Sequence, residues 1–196
     1  MSQSHIDIAR RSVLMGALQQ PEELAAALGL LNSPNRVLEV GVWKGATLWA
    51  WAKVAGEAAR IVGVDRDLGP CELTEDMLGY RQHLRLIQGN SWSDVTVWAA
   101  MEALMGPIDF LFIDASHAYV DVKRDWETYR PLLAPNAVVG FHDIGELGSG
   151  GDGGDTLGEA RILWDEIGQE YFGNRVEIIS RHHERMGLLG IGMLLP

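Results

Sequence analysis

The sequence IDFLFIDASHAY, residues 108–119, decides the fold. It begins with a mostly apolar run that is typical of a buried strand, and this run ends abruptly at Asp114. His117 follows shortly afterwards, so a carboxylate and an imidazole leave the same strand end. Ionisable groups are costly in a core but useful where a strand opens onto a ligand crevice. This stretch therefore predicts a buried strand that ends at a functional site.

Other segments also have the composition of strands. Short apolar runs rich in β-branched residues alternate with longer amphipathic segments, and these runs lie at 36–42, 59–65, 84–90 and 137–143. This alternation predicts a parallel sheet with helices on both faces. Residues 176–181 and 187–195 look like two more strands, and the short polar turn between them makes the pair antiparallel. We expect an α/β fold with a Rossmann-like, doubly wound, seven-stranded sheet in three αβα layers. One strand near the C-terminus, at the edge of the sheet, runs against the other six.

The length of 196 residues is typical of a single domain. We expect N-terminal helices within 1–33, at about 5–18 and 21–30. They are followed by a core at 34–144, a glycine-rich loop at 145–158, and a C-terminal helix and hairpin at 159–196. The loop is a candidate lid over a ligand, with Asp152 or Asp155 in reach, or else an ordinary connection. His182 and His183 fall in the hairpin turn and are expected to be solvated.

Composition limits the possible partners. The formal net charge is −11 and no Lys or Arg cluster is visible, which makes nucleic acid an unlikely partner. No apolar run reaches the roughly 18 residues of a membrane span, and the N-terminus is typical of a helix rather than of a secretory signal. Cys71 is the single cysteine, so no internal disulfide forms and a cytoplasmic location is expected. Seven tryptophans and an apolar final strand suggest a possible homo-oligomer.

The first strand ends in a glycine-bearing turn, EVGVWKG at 39–45, that leads into a helix. Glycine allows a tight bend, and the helix start supplies free N–H groups for a ligand. The next strand ends in Asp65, a carboxylate placed to bind a ribose diol. A flexible turn and a surface acid would explain the same residues. Glu39, however, is unusual on a buried strand unless something polar meets it.

The chain resembles class I S-adenosylmethionine-dependent methyltransferases in the order of its motifs. These are LEVGVWKGATLWAWA, IVGVDRD, IQGNSWS and IDFLFIDASHAYVDVKRDWETYRPLLAPNAVVGFHDI. It is most similar to the bacterial metal-dependent sugar O-methyltransferases and the cephalosporin hydroxylase-like proteins, over about residues 36–144. The resemblance implies that the core at 34–144 binds S-adenosylmethionine, with its methionine end at the first turn, its ribose at Asp65 and its adenine along Asn90 and Ser91. The implied cofactor-binding residues are Glu39, Gly41, Val42, Gly45, Thr47, Asp65, Arg66, Asn90, Ser91 and Asp114.

Asp114 and Asp143 end adjacent strands of the predicted sheet, with His142 beside Asp143. Two neighbouring carboxylates repel unless a cation lies between them, so a divalent metal is expected. The resemblance also implies that positions 114, 142 and 143 are metal ligands. Oxygen ligands suit Mg²⁺, whereas an imidazole suits Mn²⁺, Fe²⁺ or Zn²⁺ better, so either His142 points away from a two-carboxylate Mg²⁺ site or the metal is one of the others. Alternatively, Asp114 caps the following helix and Asp143 binds N–H groups of the glycine-rich loop.

His117 matches the position proposed as the general base in the family that the chain resembles. The predicted function is therefore S-adenosylmethionine-dependent O-methyl transfer to a small polyhydroxylated acceptor, such as a sugar or secondary metabolite. The cofactors would be S-adenosylmethionine and a divalent metal (Mg or Mn). Two alternatives stay open: an NAD-dependent oxidoreductase, which the missing GxGxxG motif disfavours, and a non-catalytic nucleoside-binding protein. His117 would then be an ordinary surface residue.

Overall fold

A computed structural model describes residues 3–145, 159–170, 174–179 and 190–196 of the chain. Its seven strands are β1 (Arg36–Val40), β2 (Arg60–Asp65), β3 (His83–Gln88), β4 (Ile108–Ile113), β5 (Leu133–His142), β6 (Asn174–Ile178) and β7 (Ile191–Leu195). Its α-helices are α1 (Gln3–Leu14), α2 (Pro21–Leu28), α3 (Ala46–Val54), α4 (Asp94–Leu104), α5 (Tyr119–Tyr129) and α6 (Glu159–Glu170). Short 3₁₀ helices lie at Glu75–Met77 and Arg130–Leu132.

The sheet separates two apolar cores. On one face, helices α1 to α3 pack over a cluster in which Trp51 contacts Phe110 and Phe112 at ring distances of 5.0 and 4.9 Å. On the other face, helices α4 to α6 cover a cluster that contains Phe141 and Trp164. Both faces of the central strands are buried because these strands are nearly continuous apolar runs, which is the pattern of a covered parallel sheet. The predicted three-layer αβα fold is confirmed.

The strand order is β3-β2-β1-β4-β5-β7-β6. Strands β1 to β5 are parallel, and β7 runs antiparallel to both of its neighbours, β5 and β6. The prediction of one antiparallel strand near the C-terminus is confirmed, but its expected position at the edge is wrong. The chain passes through α6 to β6 at the outer edge and then returns as β7, which fills the gap between β6 and β5. The strand at this edge of the sheet is therefore β6, whose residues are exposed or only partly buried.

The parallel order brings five strand ends to one edge of the sheet, and the residues that follow them form the site described below. Residues 146–158 of the glycine-rich loop lie outside the described residues. The same is true of Asp152, Asp155, His182 and His183, so the expected lid and the solvated hairpin turn remain predictions. Within the described ranges, no helix combines the length and apolar character needed to cross a bilayer.

Candidate active site

A cavity of about 750 Å³ opens at the carboxyl ends of the parallel strands. Its wall is formed by the turns that follow strands β1 to β5 and by residues 16–19, between α1 and α2. Of the predicted site residues, all except Gly45 line this cavity. They are Glu39, Gly41, Val42, Thr47, Asp65, Arg66, Asn90, Ser91, Asp114, His117, His142 and Asp143.

The two glycines of the first turn are required by the backbone. Gly41 has φ +90°, and a Cβ there would overlap the carbonyl oxygen of Asp114 on the neighbouring strand. Gly45 has φ +79° and precedes α3, where a Cβ would lie 2.6 Å from Cβ of Leu73. Both positions therefore favour glycine for conformation and for lack of space. Gly41 shapes the cavity wall, whereas Gly45 turns the chain behind it.

Asp65 organises the first turn from the end of β2. Its Oδ2 accepts hydrogen bonds from the backbone N–H groups of Val42 and Trp43 at 2.7 and 2.8 Å, and its Oδ1 accepts one from Asp67 N–H at 2.9 Å. A carboxylate offers about four acceptor positions, so Oδ1 retains capacity for a ligand hydroxyl. The carboxylate therefore fixes the turn and still faces the cavity.

Glu39 is a buried acid on the cavity wall. It is 1% exposed, and its Oε2 has no hydrogen-bond partner among the described residues. Burial raises the pKa of Glu39 well above its usual 4.5, and the nearby carboxylates of Asp114 and Asp65 raise it further. A buried acceptor without a partner is destabilising by itself, so this position is suited to a ligand that brings a polar group.

His142 lies between the two acids that follow β4 and β5. Its Nδ1 is 3.0 Å from Asp114 Oδ1 and 3.2 Å from Asp143 Oδ1, although neither contact has hydrogen-bond geometry. Burial alone would lower the pKa of His142, but the two carboxylates outweigh it and raise that pKa well above 6.5. The repulsion between the two acids, anticipated from the sequence, is thus relieved within the protein by an imidazole.

His117 and Asp143 form a second close contact at the cavity. Nδ1 of His117 lies 2.7 Å from Oδ2 of Asp143, with the His117 side chain 41% exposed and that of Asp143 5% exposed. Its hydrogen bond to Asp143 raises the pKa of His117 above 6.5. Burial would raise the pKa of Asp143, but His117 and His142 outweigh it and lower this pKa to about 2. An imidazole oriented by a buried carboxylate is the arrangement of a positioned general base.

Gln19 is a site residue that the sequence did not reveal. It is buried between α1 and α2, and its Nε2 donates a hydrogen bond to Asp114 Oδ2 at 2.9 Å. Thr47 Oγ1 donates a hydrogen bond to its Oε1 at 3.3 Å. The N-terminal segment therefore reaches over the first turn and holds the acid that follows β4. A lone glutamine between two helices carries no sequence signal for this role.

Asp125 is a second site residue that the sequence did not reveal. It lies on α5 at 0% exposure and lines the cavity. Its Oδ1 accepts a hydrogen bond from Ser91 Oγ at 2.5 Å, and Tyr129 OH donates to the carbonyl oxygen of Ser91 at 2.7 Å. Burial raises the pKa of Asp125 to about 6. In the sequence this acid is indistinguishable from the other charged residues of an amphipathic helix.

The described side chains do not fit the expected divalent metal. Both oxygens of Asp114 are in contact with nitrogen atoms, one from His142 and one from Gln19. Both oxygens of Asp143 face imidazole Nδ1 atoms of His142 and His117. Among the described residues, no group of three His, Cys, Asp or Glu side chains is arranged to hold a metal ion. The imidazole of His142 occupies the position between the acids where a cation was expected.

Comparisons with known proteins agree with this fold. Residues 38–144 match the sequence profile of a family described as a methyltransferase domain. The match covers more than half of the chain, from β1 to the end of β5. The chain therefore belongs to this methyltransferase-domain family. The predicted class, a class I S-adenosylmethionine-dependent methyltransferase, is confirmed.

Solved structures share the whole fold. One is the O-methyltransferase TomG of Streptomyces achromogenes, which is involved in tomaymycin synthesis and was solved with S-adenosylmethionine. It is 16% identical with a TM-score of 0.66, and the match covers 100% of this chain and 90% of TomG. Another is the Bacillus cereus O-methyltransferase with S-adenosylhomocysteine, with 14% identity, a TM-score of 0.62, and coverage of 100% and 92%. At these identities the likeness shows the fold alone.

MycE, from the mycinamycin biosynthetic pathway, was solved with Mg, S-adenosylhomocysteine and mycinamycin VI. It is 20% identical with a TM-score of 0.58, and the match covers 97% of this chain but 54% of MycE. Among curated sequences, the uncharacterized protein y4gI of Sinorhizobium fredii is 50% identical over 36 residues, which is 18% of this chain. The matched segment spans only 4% of the length of that relative.

Proposed function

We propose that this protein transfers a methyl group from S-adenosylmethionine to a hydroxyl oxygen of a small acceptor, with His117 as the general base. The observation that carries the proposal is the pairing of His117 with Asp143 at the mouth of a cavity in a methyltransferase-domain family member. TomG and the Bacillus cereus protein are O-methyltransferases, which supports oxygen as the receiving atom.

The residues around the cavity fit S-adenosylmethionine. This molecule brings a methyl group made electrophilic by a sulfonium cation. Acidic side chains outnumber basic ones on the described cavity wall, and this field favours a cationic ligand. Glu39 offers a buried oxygen without a partner, and Asp65 keeps capacity to accept a hydrogen bond from a ribose hydroxyl. The volume of about 750 Å³ is within the usual range for a small-molecule site.

The chemistry assigned to His117 follows from its contact with Asp143. Because Nδ1 is engaged by the Asp143 carboxylate, Nε2 of the neutral ring is the atom that can take a proton. An acceptor hydroxyl becomes nucleophilic as its proton moves to Nε2. Its oxygen then forms the bond to the methyl carbon while the bond from that carbon to sulfur breaks and its electron pair returns to sulfur, which leaves neutral S-adenosylhomocysteine. Asp143 stabilises the imidazolium that results. Alignment of the acceptor and exclusion of water from the cavity supply the remaining acceleration.

A small polyhydroxylated acceptor is proposed from the polar wall beside His117. Ser116 and Asp121, close to His117 in the sequence, also line the cavity and carry polar groups that can bind hydroxyls. Trp43 is 44% exposed at the cavity wall and adds a flat apolar surface. We expect a cytoplasmic enzyme with a small-molecule acceptor and no nucleic-acid partner, consistent with the net charge of −11. A homo-oligomer is also proposed.

The two alternative functions are less well supported. NAD carries a pyrophosphate, and the acidic cavity wall would repel it. A non-catalytic nucleoside-binding protein would need no imidazole paired with a buried carboxylate, whereas the structure has one in His117 and Asp143. Methyl transfer is the function that uses both groups.

The test is a methyl-transfer assay with S-adenosylmethionine labelled on its methyl group. The acceptors are a panel of free sugars, nucleotide sugars, glycosylated secondary metabolites and catechols, and the His117→Gln variant is the matched control. We expect labelled product from a polyhydroxylated member, with an increase in kcat/KM as pH rises through the raised pKa of His117. A product methylated on nitrogen or carbon, or equal turnover by His117→Gln, would contradict the proposal.

A further inference from the structure

We infer that Asp125 recognises the exocyclic amino group of the adenine of the cofactor. The inference rests on the proposed function, because it assigns one contact of the nucleoside that this function requires. It also changes the assignment made from the sequence, where Asn90 and Ser91 were expected to lie along the adenine. Asp125 lies behind Ser91 and would supply the hydrogen-bond acceptor itself.

The sheet order fixes which end of the cavity receives the base. Asp65, at the tip of β2, lies between the turn that follows β3 and the tips of β1, β4 and β5. The reacting sulfur must lie near His117, beyond the tip of β4. With the ribose at Asp65, the base therefore extends in the opposite direction, towards residues 89–92. Asp125 lies in this region because Ser91 donates a hydrogen bond to it at 2.5 Å.

Only one of the two carboxylate oxygens of Asp125 accepts a hydrogen bond from the described residues. Its Oδ1 is bonded to Ser91, whereas its Oδ2 is buried and has no hydrogen-bond partner among the residues that the structure describes. Burial, helped by the charge of Asp121, raises the pKa of Asp125 to about 6 against the lowering effect of the Ser91 hydrogen bond. An unsatisfied buried acceptor costs free energy unless a ligand donor fills it. An amino group on a flat base is such a donor.

Asn90 is the competing candidate for this contact. Its Oδ1 accepts a hydrogen bond from the backbone N–H of Trp92 at 3.3 Å, so its carbonyl oxygen already has a role in the turn. Asp121, on the same helix as Asp125, also lines the cavity, but its Oδ2 accepts a hydrogen bond from Ser116 Oγ at 2.8 Å. Asp125 is therefore the acid near this end of the cavity that keeps a buried oxygen for the ligand.

The test compares two nucleosides by isothermal titration calorimetry: S-adenosylhomocysteine and S-inosylhomocysteine, in which a carbonyl oxygen replaces the amino group. We expect the wild type to bind the adenosyl compound at least about tenfold more tightly, the effect of one hydrogen bond to a charged group. In Asp125→Asn the side-chain amide can turn its NH₂ towards the ligand, so the ratio should fall to about one or invert. Asp121→Asn and Asn90→Ala should keep the wild-type ratio.

The outcomes separate this inference from the proposed function. A wild type that binds neither nucleoside overturns both. Binding of both nucleosides with equal affinity overturns only the role of Asp125, as does a ratio that survives in Asp125→Asn. If Asp125→Asn does not fold, Asn90→Ala decides: an unchanged ratio supports Asp125, and a lost ratio assigns the contact to Asn90.

Discussion

Replacing Asp143 by asparagine tests the charged contact that the proposed mechanism uses. Asp143 has φ +58°, a left-handed conformation that asparagine tolerates well, so the backbone should not change. The amide oxygen can still accept a hydrogen bond from His117. The variant therefore removes the negative charge and keeps the shape of the residue.

The size of the effect follows from the pKa of Asp143. This pKa is lowered from its ordinary value of 3.8 to about 2 in the folded protein. Since each pKa unit corresponds to about 1.4 kcal/mol, the ionised carboxylate stabilises the folded state by about 2 kcal/mol. Because this pKa is depressed, the contribution is present above pH 3.8 and is lost as pH falls towards 2. The pKa of His117 is raised, so the contact also weakens as pH rises through that higher pKa. The stabilisation is thus largest between these limits.

Urea unfolding followed by tryptophan fluorescence measures this directly. At pH 6 we expect the free energy of unfolding of Asp143→Asn to be lower than that of the wild type by about 2 kcal/mol, with a smaller difference at pH 3 and at pH 9. Asp165→Asn is the control, because Asp165 is 54% exposed in its pair with Arg161 and should change stability by less than about 1 kcal/mol. Equal stability of Asp143→Asn and wild type at pH 6, or a loss independent of pH, would refute the reasoning.

Three further predictions follow from the same site. His117→Gln should lower the rate of methyl transfer by about 10²- to 10⁴-fold and leave the affinity for S-adenosylhomocysteine unchanged; an unchanged rate would assign His117 to the surface. Gln19→Ala should lower the free energy of unfolding by about 1 to 3 kcal/mol, because the partly buried Asp114 loses the hydrogen bond that Gln19 donates. Thermal unfolding at neutral pH measures this, and no loss would contradict the role of Gln19. Methyl transfer should be the same with EDTA as with added Mg²⁺ or Mn²⁺, because each carboxylate oxygen of Asp114 and Asp143 already faces a side-chain nitrogen of Gln19, His117 or His142. Metal-dependent turnover that Asp143→Asn abolishes would restore the metal site.

Most of the sheet could be predicted from the sequence because each buried strand is a short apolar run with an acid or a glycine at its end. Asp65, Asp114 and Asp143 are recognisable since they interrupt such runs. The parallel arrangement then brings them together without further information. The place of β7 could not be predicted, because a hairpin pattern in the sequence indicates that β6 and β7 are antiparallel to each other but not which of the two lies at the edge.

The contacts of the site could not be predicted in the same way. Gln19 and Asp125 come from a connection and from a helix, and their roles depend on which elements pack over the strand tips. The sequence showed that two acids needed a positive partner, but it did not show that His142 would fill this position. Sequence patterns fix which residues are buried, whereas the direction of each polar side chain depends on tertiary packing.

The most direct test is a crystal structure of the protein with S-adenosylhomocysteine. We predict the nucleoside in the cavity at the strand ends, with its ribose on Asp65, its adenine beside Ser91 and Asp125, and its sulfur facing His117. A nucleoside bound elsewhere, or a cavity filled by the protein's own side chains while the ligand stays in solution, would contradict this account.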